Sequence, residues 1–256
     1  MRRGAPLRDG SRRPPLLPET PMPQLSINEL VDAFPQFRAA VLVAENLAIP
    51  AERPPELADE IARREAECRS RWGGTELSAI PGVAAWRSAY KGFGIKKTSY
   101  RCSVERLVKN VLAERELPRI NGFVDAYNAV SLGHVLCVGA DDLDKVAPPL
   151  AFRYARPDDT FLDMAAEEGT DPNDPPKPGE VVFADARHVL CRRWNWRQDA
   201  RSIITPDTRR AVVTLQSNGV GSVEAAAADL ASLLERFCGA TCRFAVVEAG
   251  RPVAEL

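Results

Sequence analysis

The chain has 256 residues, 45% hydrophobic and 27% charged, which is enough apolar material for a buried core. No apolar run reaches the ~18 residues that a membrane-spanning helix needs, and a formal net charge of -1 excludes a global field that would attract nucleic acid. Any RNA contact must therefore come from a local patch, and one exists: seven arginines face only Asp199 and Asp207 between Arg187 and Arg210, a local balance of +5.

Residues 1–21 are rich in Arg and Pro without an apolar segment, so they read as a disordered tail or an upstream-start artefact, with Met22 the expected true start. Residues 22–256 read as one domain whose N-terminal part, about 26–116, is largely helical. Ser26-Ile27-Asn28-Glu29 matches a capping box ahead of a short helix that Phe34-Pro35 would end. A strand over Ala39 to Ala44 follows, then a charged helix from Glu56 to Arg71, opened by Pro54-Pro55 and closed by Gly73-Gly74. A helical piece from Ile80 toward Tyr90 is expected to break near Pro81. Ser103 is the expected cap of an amphipathic helix carrying Val104, Leu107, Val108, Val111 and Leu112, which stops at Pro118.

The next helix, Asn121 to Leu132, has two distinct faces at 100° per residue. Phe123, Tyr127 and Val130 fall on one side and Asn121, Asp125 and Asn128 on the other. The first face suits a core. Two amides and an acid without lysine or glutamate are unusual for a purely solvated face, so the second is a candidate ligand surface. A strand over Val135 to Val138, an acidic turn at Asp141-Asp142-Leu143-Asp144 and a strand over Leu150 to Tyr154 come next. Asp158 to Pro178, which includes Pro175-Pro176, reads as an irregular loop or lid. Strands are expected at Glu180 to Ala184, His188 to Trp194 and Arg210 to Gln216. A final helix capped by Ser222 ends at Gly239, and Arg243 to Glu248 makes a last strand. This order of elements gives an α+β fold with a mixed sheet.

Cys191-Arg192-Arg193-Trp194-Asn195-Trp196-Arg197-Gln198 concentrates two tryptophans, three arginines and two amides in eight residues. Aromatic planes stack on bases, guanidinium groups fork onto phosphate or carboxylate, and amides read hydrogen-bonding edges. The alternative is a surface strand whose tryptophans cover a small core while its arginines stay in water. In an extended strand Arg193, Asn195 and Arg197 would share one face and Arg192, Trp194, Trp196 and Gln198 the other, so both sets could line one cavity only if the strand bends.

The sequence lacks the phosphate-binding, dinucleotide-binding, zinc-protease and nucleophile-elbow motifs. His134 and His188 have no recognisable catalytic partner and read as structural. The six cysteines show no C-x-x-C pair, which suits reduced thiols in a cytoplasm and leaves no obvious metal site. No cofactor is expected. What remains is a site of amides, arginines, aromatics and a few acids.

The run from Leu117 to Leu132, containing Val124-Asp125-Ala126-Tyr127-Asn128-Ala129-Val130-Ser131-Leu132, is followed by Asp142-Leu143-Asp144. It resembles the signature of the tRNA-binding editing module in the phenylalanyl-tRNA synthetase β chain, the B three/four domain. Gly179 to Asp185 and Thr208 to Gln216 are similar to strands of that module, and the likeness covers about Ala33 to Glu248. The resemblance implies a β-sandwich of unusual topology flanked by helices, and a freestanding protein that binds the tRNA acceptor end and hydrolyses a mischarged aminoacyl ester. It places the family's pocket asparagine on Asn128 and the family's pocket histidine on Gly139, a departure that puts hydrolysis in question. The family's glycine-rich pocket loop is replaced by Trp194 to Gln198, so its amino-acid specificity is not carried over.

The resulting expectation is that Asn128 and Gln198 orient water or the ester carbonyl, while Asp125 or Glu180 binds the substrate ammonium or acts as base. Trp194 or Trp196 would stack on the terminal adenine. Arg192, Arg193 and Arg197 would hold phosphates or support the pocket, with Asn121, Ser131 and Asn195 as further contacts. No membrane or DNA partner is expected. Two other classes stay open: a non-catalytic tRNA-binding module, and a protein that binds an amino acid or small metabolite.

Overall fold

The computed structural model describes residues 24–95 and 100–255, and the N-terminal tail reading lies outside them. Ten strands form two sheets. The smaller sheet is built on β2 (Phe37–Glu45), which pairs antiparallel with β8 (Ala211–Asn218) on one side and β9 (Thr241–Val247) on the other, while β3 (Cys137–Asp142) extends it beyond β8. Seven of the nine β2 residues are buried, as expected of a strand covered on both faces.

The larger sheet runs in the order β10 (Val253–Glu255), β1 (Gln24–Ser26), β4 (Leu150–Tyr154), β5 (Val181–Ala184), β6 (Val189–Arg192) and β7 (Arg197–Gln198). Only the β1–β4 pair is parallel, so the sheet is mixed as the sequence suggested. The two sheets meet across aromatic rings: Phe37 of β2 lies 5.1 Å from Phe152 of β4, and Phe152 stacks on Phe183 of β5 at 4.7 Å.

Five helices flank the sheets. They are α1 (Pro55–Trp72), α2 (Pro81–Gly92), α3 (Ser103–Leu112), α4 (Gly122–His134) and α5 (Val223–Cys238). Helix α5 packs on β2, β8 and β9, and α4 lies between α1 and α5. Both caps of α5 agree with the sequence: Ser222 accepts a hydrogen bond from the Ala225 amide, and Gly239 closes the helix at φ 64°.

Several local expectations change. Ser26 ends β1 and its hydroxyl accepts from the Asn28 amide, so only a short 3-10 turn follows instead of a boxed helix, and Glu29 bonds the Tyr154 amide. Pro81 opens α2 rather than breaking it, because a first-turn proline needs no amide partner. Cys102, not Ser103, precedes α3, without a side-chain cap. Val135 adopts a left-handed conformation at φ 53° to end α4, which delays β3 until Cys137 and draws Asp141 and Asp142 into the strand. No described helix is long and apolar enough to cross a membrane.

Candidate functional site

The Cys191–Gln198 segment is a hairpin. Strands β6 and β7 pair Cys191 with Gln198 and Arg192 with Arg197, leaving a four-residue turn in which Arg193 and Trp194 take left-handed conformations at φ 45° and 67°. Such angles are costly for residues with a Cβ. Here they reverse the chain, and the bend separates the two tryptophans.

Trp194 enters the core. It is 0% exposed, with its ring centroid 4.7 Å from Phe34, 4.8 Å from Phe37 and 5.3 Å from Trp86, so it is unavailable to stack on a base. Arg192 is equally buried, its Nε and Nη2 forking onto Glu180 at 3.1 and 2.7 Å, and Nη1 pairing with Asp174. Arg193 also reaches Glu180, at 3.3 Å, and lies over the rings of Tyr100 and Trp196. Burial pushes its guanidinium down from its ordinary value, against the pull of Glu180. Glu180 is consumed by these arginines and cannot take a substrate ammonium, contrary to expectation; of the two roles expected for Arg192 and Arg193, phosphate contact does not fit their burial and internal support does.

Most arginines of the +5 patch are likewise ion-paired, Arg187 and Arg209 being the two without such a pair among the described residues. Arg197 pairs with Asp163, Arg201 with Asp199, and Arg210 with Glu45 and Asp144.

The amide stripe on α4 also divides. Asn121 is the N-cap, its Oδ1 accepting from the Val124 amide at 2.9 Å, and it is buried away from the cavity described below. Asp125 pins the helix entry, accepting from the Ile120 amide at 2.9 Å and from Arg53 Nε at 2.8 Å. Ser131 donates to the Leu136 carbonyl at 2.6 Å where α4 ends. All three hold the backbone, so none is a ligand contact. Asn128 alone remains, and it is different: only 8% exposed, its amide makes no hydrogen bond among the described residues. Neither of its amide atoms is sealed from solvent, so both are free to meet a ligand.

Asn128 lines a cavity of about 490 Å³ between the two sheets, a size suited to a small-molecule site. Strands β3 and β8 supply one wall through Val138, Gly139, Asp141, Thr214 and Gln216. The other wall consists of Phe183, Leu190 and Cys191 together with Asn195, Trp196, Arg197 and Gln198 from the second half of the hairpin. Helix α4 adds Tyr127, which the helical wheel had assigned to the core, while Arg106 of α3 and Arg115 stand exposed at the margin without an ion pair among the described residues.

A buried polar chain supports the floor. Tyr90 donates to Asn195 at 2.9 Å, Asn195 to Gln216 at 3.1 Å, and Gln216 to Thr214 at 2.9 Å. Asn195 therefore lines the cavity with both ends of its amide already used. Gln198 donates from Nε2 to Asp141 Oδ1 at 3.0 Å and to the Ala140 carbonyl, and its own carbonyl oxygen has no donor among the described residues.

Asp141 is the cavity residue that sequence reading missed. Its acidic neighbours predict a turn, yet it sits in β3, 4% exposed, bonded to Gln198 and to Ser202 Oγ at 2.7 Å. Burial raises its carboxyl to about 7, opposed by those two hydrogen bonds and reinforced by Asp199 and Asp185. No cation pairs with it among the described residues.

No histidine lines the cavity. His134 is bound to Asp229 and His188 to Thr160 and Arg201. Gly139, where the resemblance expects one, leaves open space: a Cβ there would meet only Thr214 Oγ1, at 3.9 Å.

The model of the B3/4 domain matches residues 85–239, more than half of the chain and all of the cavity's main walls. The chain belongs to the B3/4 domain family. A crystal structure of an N-terminal fragment of the phenylalanyl-tRNA synthetase β-subunit from Pyrococcus horikoshii is similar at 12% identity with a TM-score of 0.43. That similarity covers 89% of this chain and 53% of that one, so this B3/4 chain spans about half the length of the synthetase fragment. No curated protein matches.

Proposed function

We propose that this B3/4 protein binds the acceptor end of an aminoacyl-tRNA and hydrolyses the aminoacyl ester in the cavity between the sheets. The observation that carries the reading is the open amide of Asn128 in that cavity, in a member of this family. An aminoacyl ester is already activated. Its hydrolysis needs a placed water and a donor to the developing oxyanion more than it needs a protein nucleophile.

In this reading Asn128 Nδ2 donates to the ester oxygen as charge develops, and the free carbonyl oxygen of Gln198 orients the attacking water. Trp196 and Tyr127 form aromatic walls for the terminal adenosine. Arg106 and Arg115 meet phosphates at the margin. The test is to incubate the protein with a panel of mischarged tRNAs and follow loss of the aminoacyl group. Acceleration over buffer for at least one tRNA is expected, and none with any member of the panel overturns the reading.

The open space at Gly139 and the lack of a cavity histidine favour a second reading, a module that binds tRNA without turnover. Salt-sensitive tRNA binding with no deacylation would select it.

A further inference from the structure

The cavity contains a second open polar group. Both hydrogen bonds to Asp141, from Gln198 Nε2 and Ser202 Oγ, fall on Oδ1, and Oδ2 has no donor among the described residues. The other carboxylates first considered for an ammonium are engaged, Asp125 by Arg53 and Glu180 by Arg192 and Arg193. Asp141 is thus a buried carboxyl without a cation, in the same cavity as the open Asn128 amide. Its apolar neighbours there are Val138, Phe183, Leu190 and Cys191.

We infer that Asp141 Oδ2 anchors the α-ammonium of an apolar aminoacyl group, with the side chain of that group resting on Val138, Phe183, Leu190 and Cys191. A buried carboxylate with no cationic partner is stabilised by a ligand cation, and an apolar floor favours a hydrocarbon side chain over a charged one. The inference rests on reading the cavity as the aminoacyl site, and names what that site selects: a free primary amine on an apolar residue. N-acylated residues would be rejected because they bring no positive charge to Oδ2.

The groups around Asp141 fix the pH dependence. Asp199, paired with Arg201, and Asp185, which accepts backbone amides, oppose its ionisation, while Gln198 and Ser202 favour it. Tyr127 and Cys191 are both raised by burial and stay neutral. A bound ammonium favours the ionised carboxylate, so affinity should fall as pH drops through about 7. It should fall again when the ligand amine loses its own proton.

The experiment measures binding of leucinamide and N-acetyl-leucinamide to the whole protein by calorimetry, at pH 8 and pH 6. Phenylalaninamide and lysinamide extend the series. Leucinamide should bind at least about tenfold more tightly than its N-acetyl form, the ratio that one pKa unit of coupling represents. The preference should shrink at pH 6, and lysinamide should bind more weakly than leucinamide. Asp141→Asn can keep both hydrogen bonds on Oδ1, so it should fold and lose the preference. Equal binding of both leucine compounds, or binding of neither leucine nor phenylalanine amide, overturns the inference without recourse to any variant. Deacylation of mischarged tRNA is read separately. Turnover without an amine preference refutes the anchor alone, and an amine preference without turnover refutes the hydrolase reading alone.

Discussion

The first half of the β6–β7 hairpin sends Arg192, Arg193 and Trp194 into the protein; in the second half Trp196, Arg197 and Gln198 line the cavity. The residue types are nearly the same on both sides. What differs is the partner each side chain finds. Glu180 and Asp174 wait for the first pair of arginines, and Phe34, Phe37 and Trp86 for the first tryptophan. The second half meets aromatic edges, Asp163 and open space. Arginine and tryptophan are therefore ligand-binding signals only where the fold has not already consumed them.

Substitutions in the two halves should break this symmetry in opposite ways. Trp194→Ala should lose about 3–5 kcal/mol of stability, the usual cost of deleting a large buried aromatic, visible in chemical denaturation. Arg192→Met should cost a comparable ~3–5 kcal/mol, because Glu180 would lose its bidentate partner while still buried. Trp196→Ala should cost only about 1 kcal/mol, yet weaken tRNA binding measurably. A severe folding defect in Trp196→Ala with a mild one in Trp194→Ala would reverse the assignment.

Asp141 gives a subtler contrast with Glu180, the ion-paired carboxylate of the first half. Its folded-state carboxyl lies near 7, above the ordinary value of 3.8, so its contribution to stability is fully present below about 3.8 and is lost as pH rises through about 7. Asp141→Asn should remove that part of the pH dependence and gain stability at pH 8, on the order of 4 kcal/mol at most. Melting curves of both proteins at pH 5 and pH 8 check the sign. A variant that is destabilised only at pH 8 contradicts it.

Much of the architecture was legible because it is encoded locally. The Asn121, Ser222 and Gly239 signals all mark real helix boundaries, and β4, β5 and β8 fall where apolar runs placed them. Asn128 emerged from wheel geometry and from the resemblance alike. The misassigned site residues have two causes: Asn121 and Ser131 are taken up by backbone groups three and five residues away at the helix ends, and others find partners remote in sequence. Asp125 is held by Arg53, 72 residues away, and Asn195 by Tyr90 at a separation of 105. Neither left-handed position of the turn, Arg193 or Trp194, is a glycine, asparagine or aspartate that would announce such angles, so the segment reads as an extended strand. Asp141 was hidden for the opposite reason, since a run of acids ordinarily signals solvent. Here Val135 delays the strand, and the first acid of the run is carried indoors.

The most direct measurement is the single-turnover deacylation rate of Asn128→Ala beside the wild type, on whichever mischarged tRNA the wild type hydrolyses fastest. Losing one oxyanion donor should lower the rate by about 10²–10³-fold, with the melting temperature unchanged because Asn128 holds no other residue. A variant that hydrolyses at the wild-type rate would contradict the claim that this open amide is where the chemistry happens.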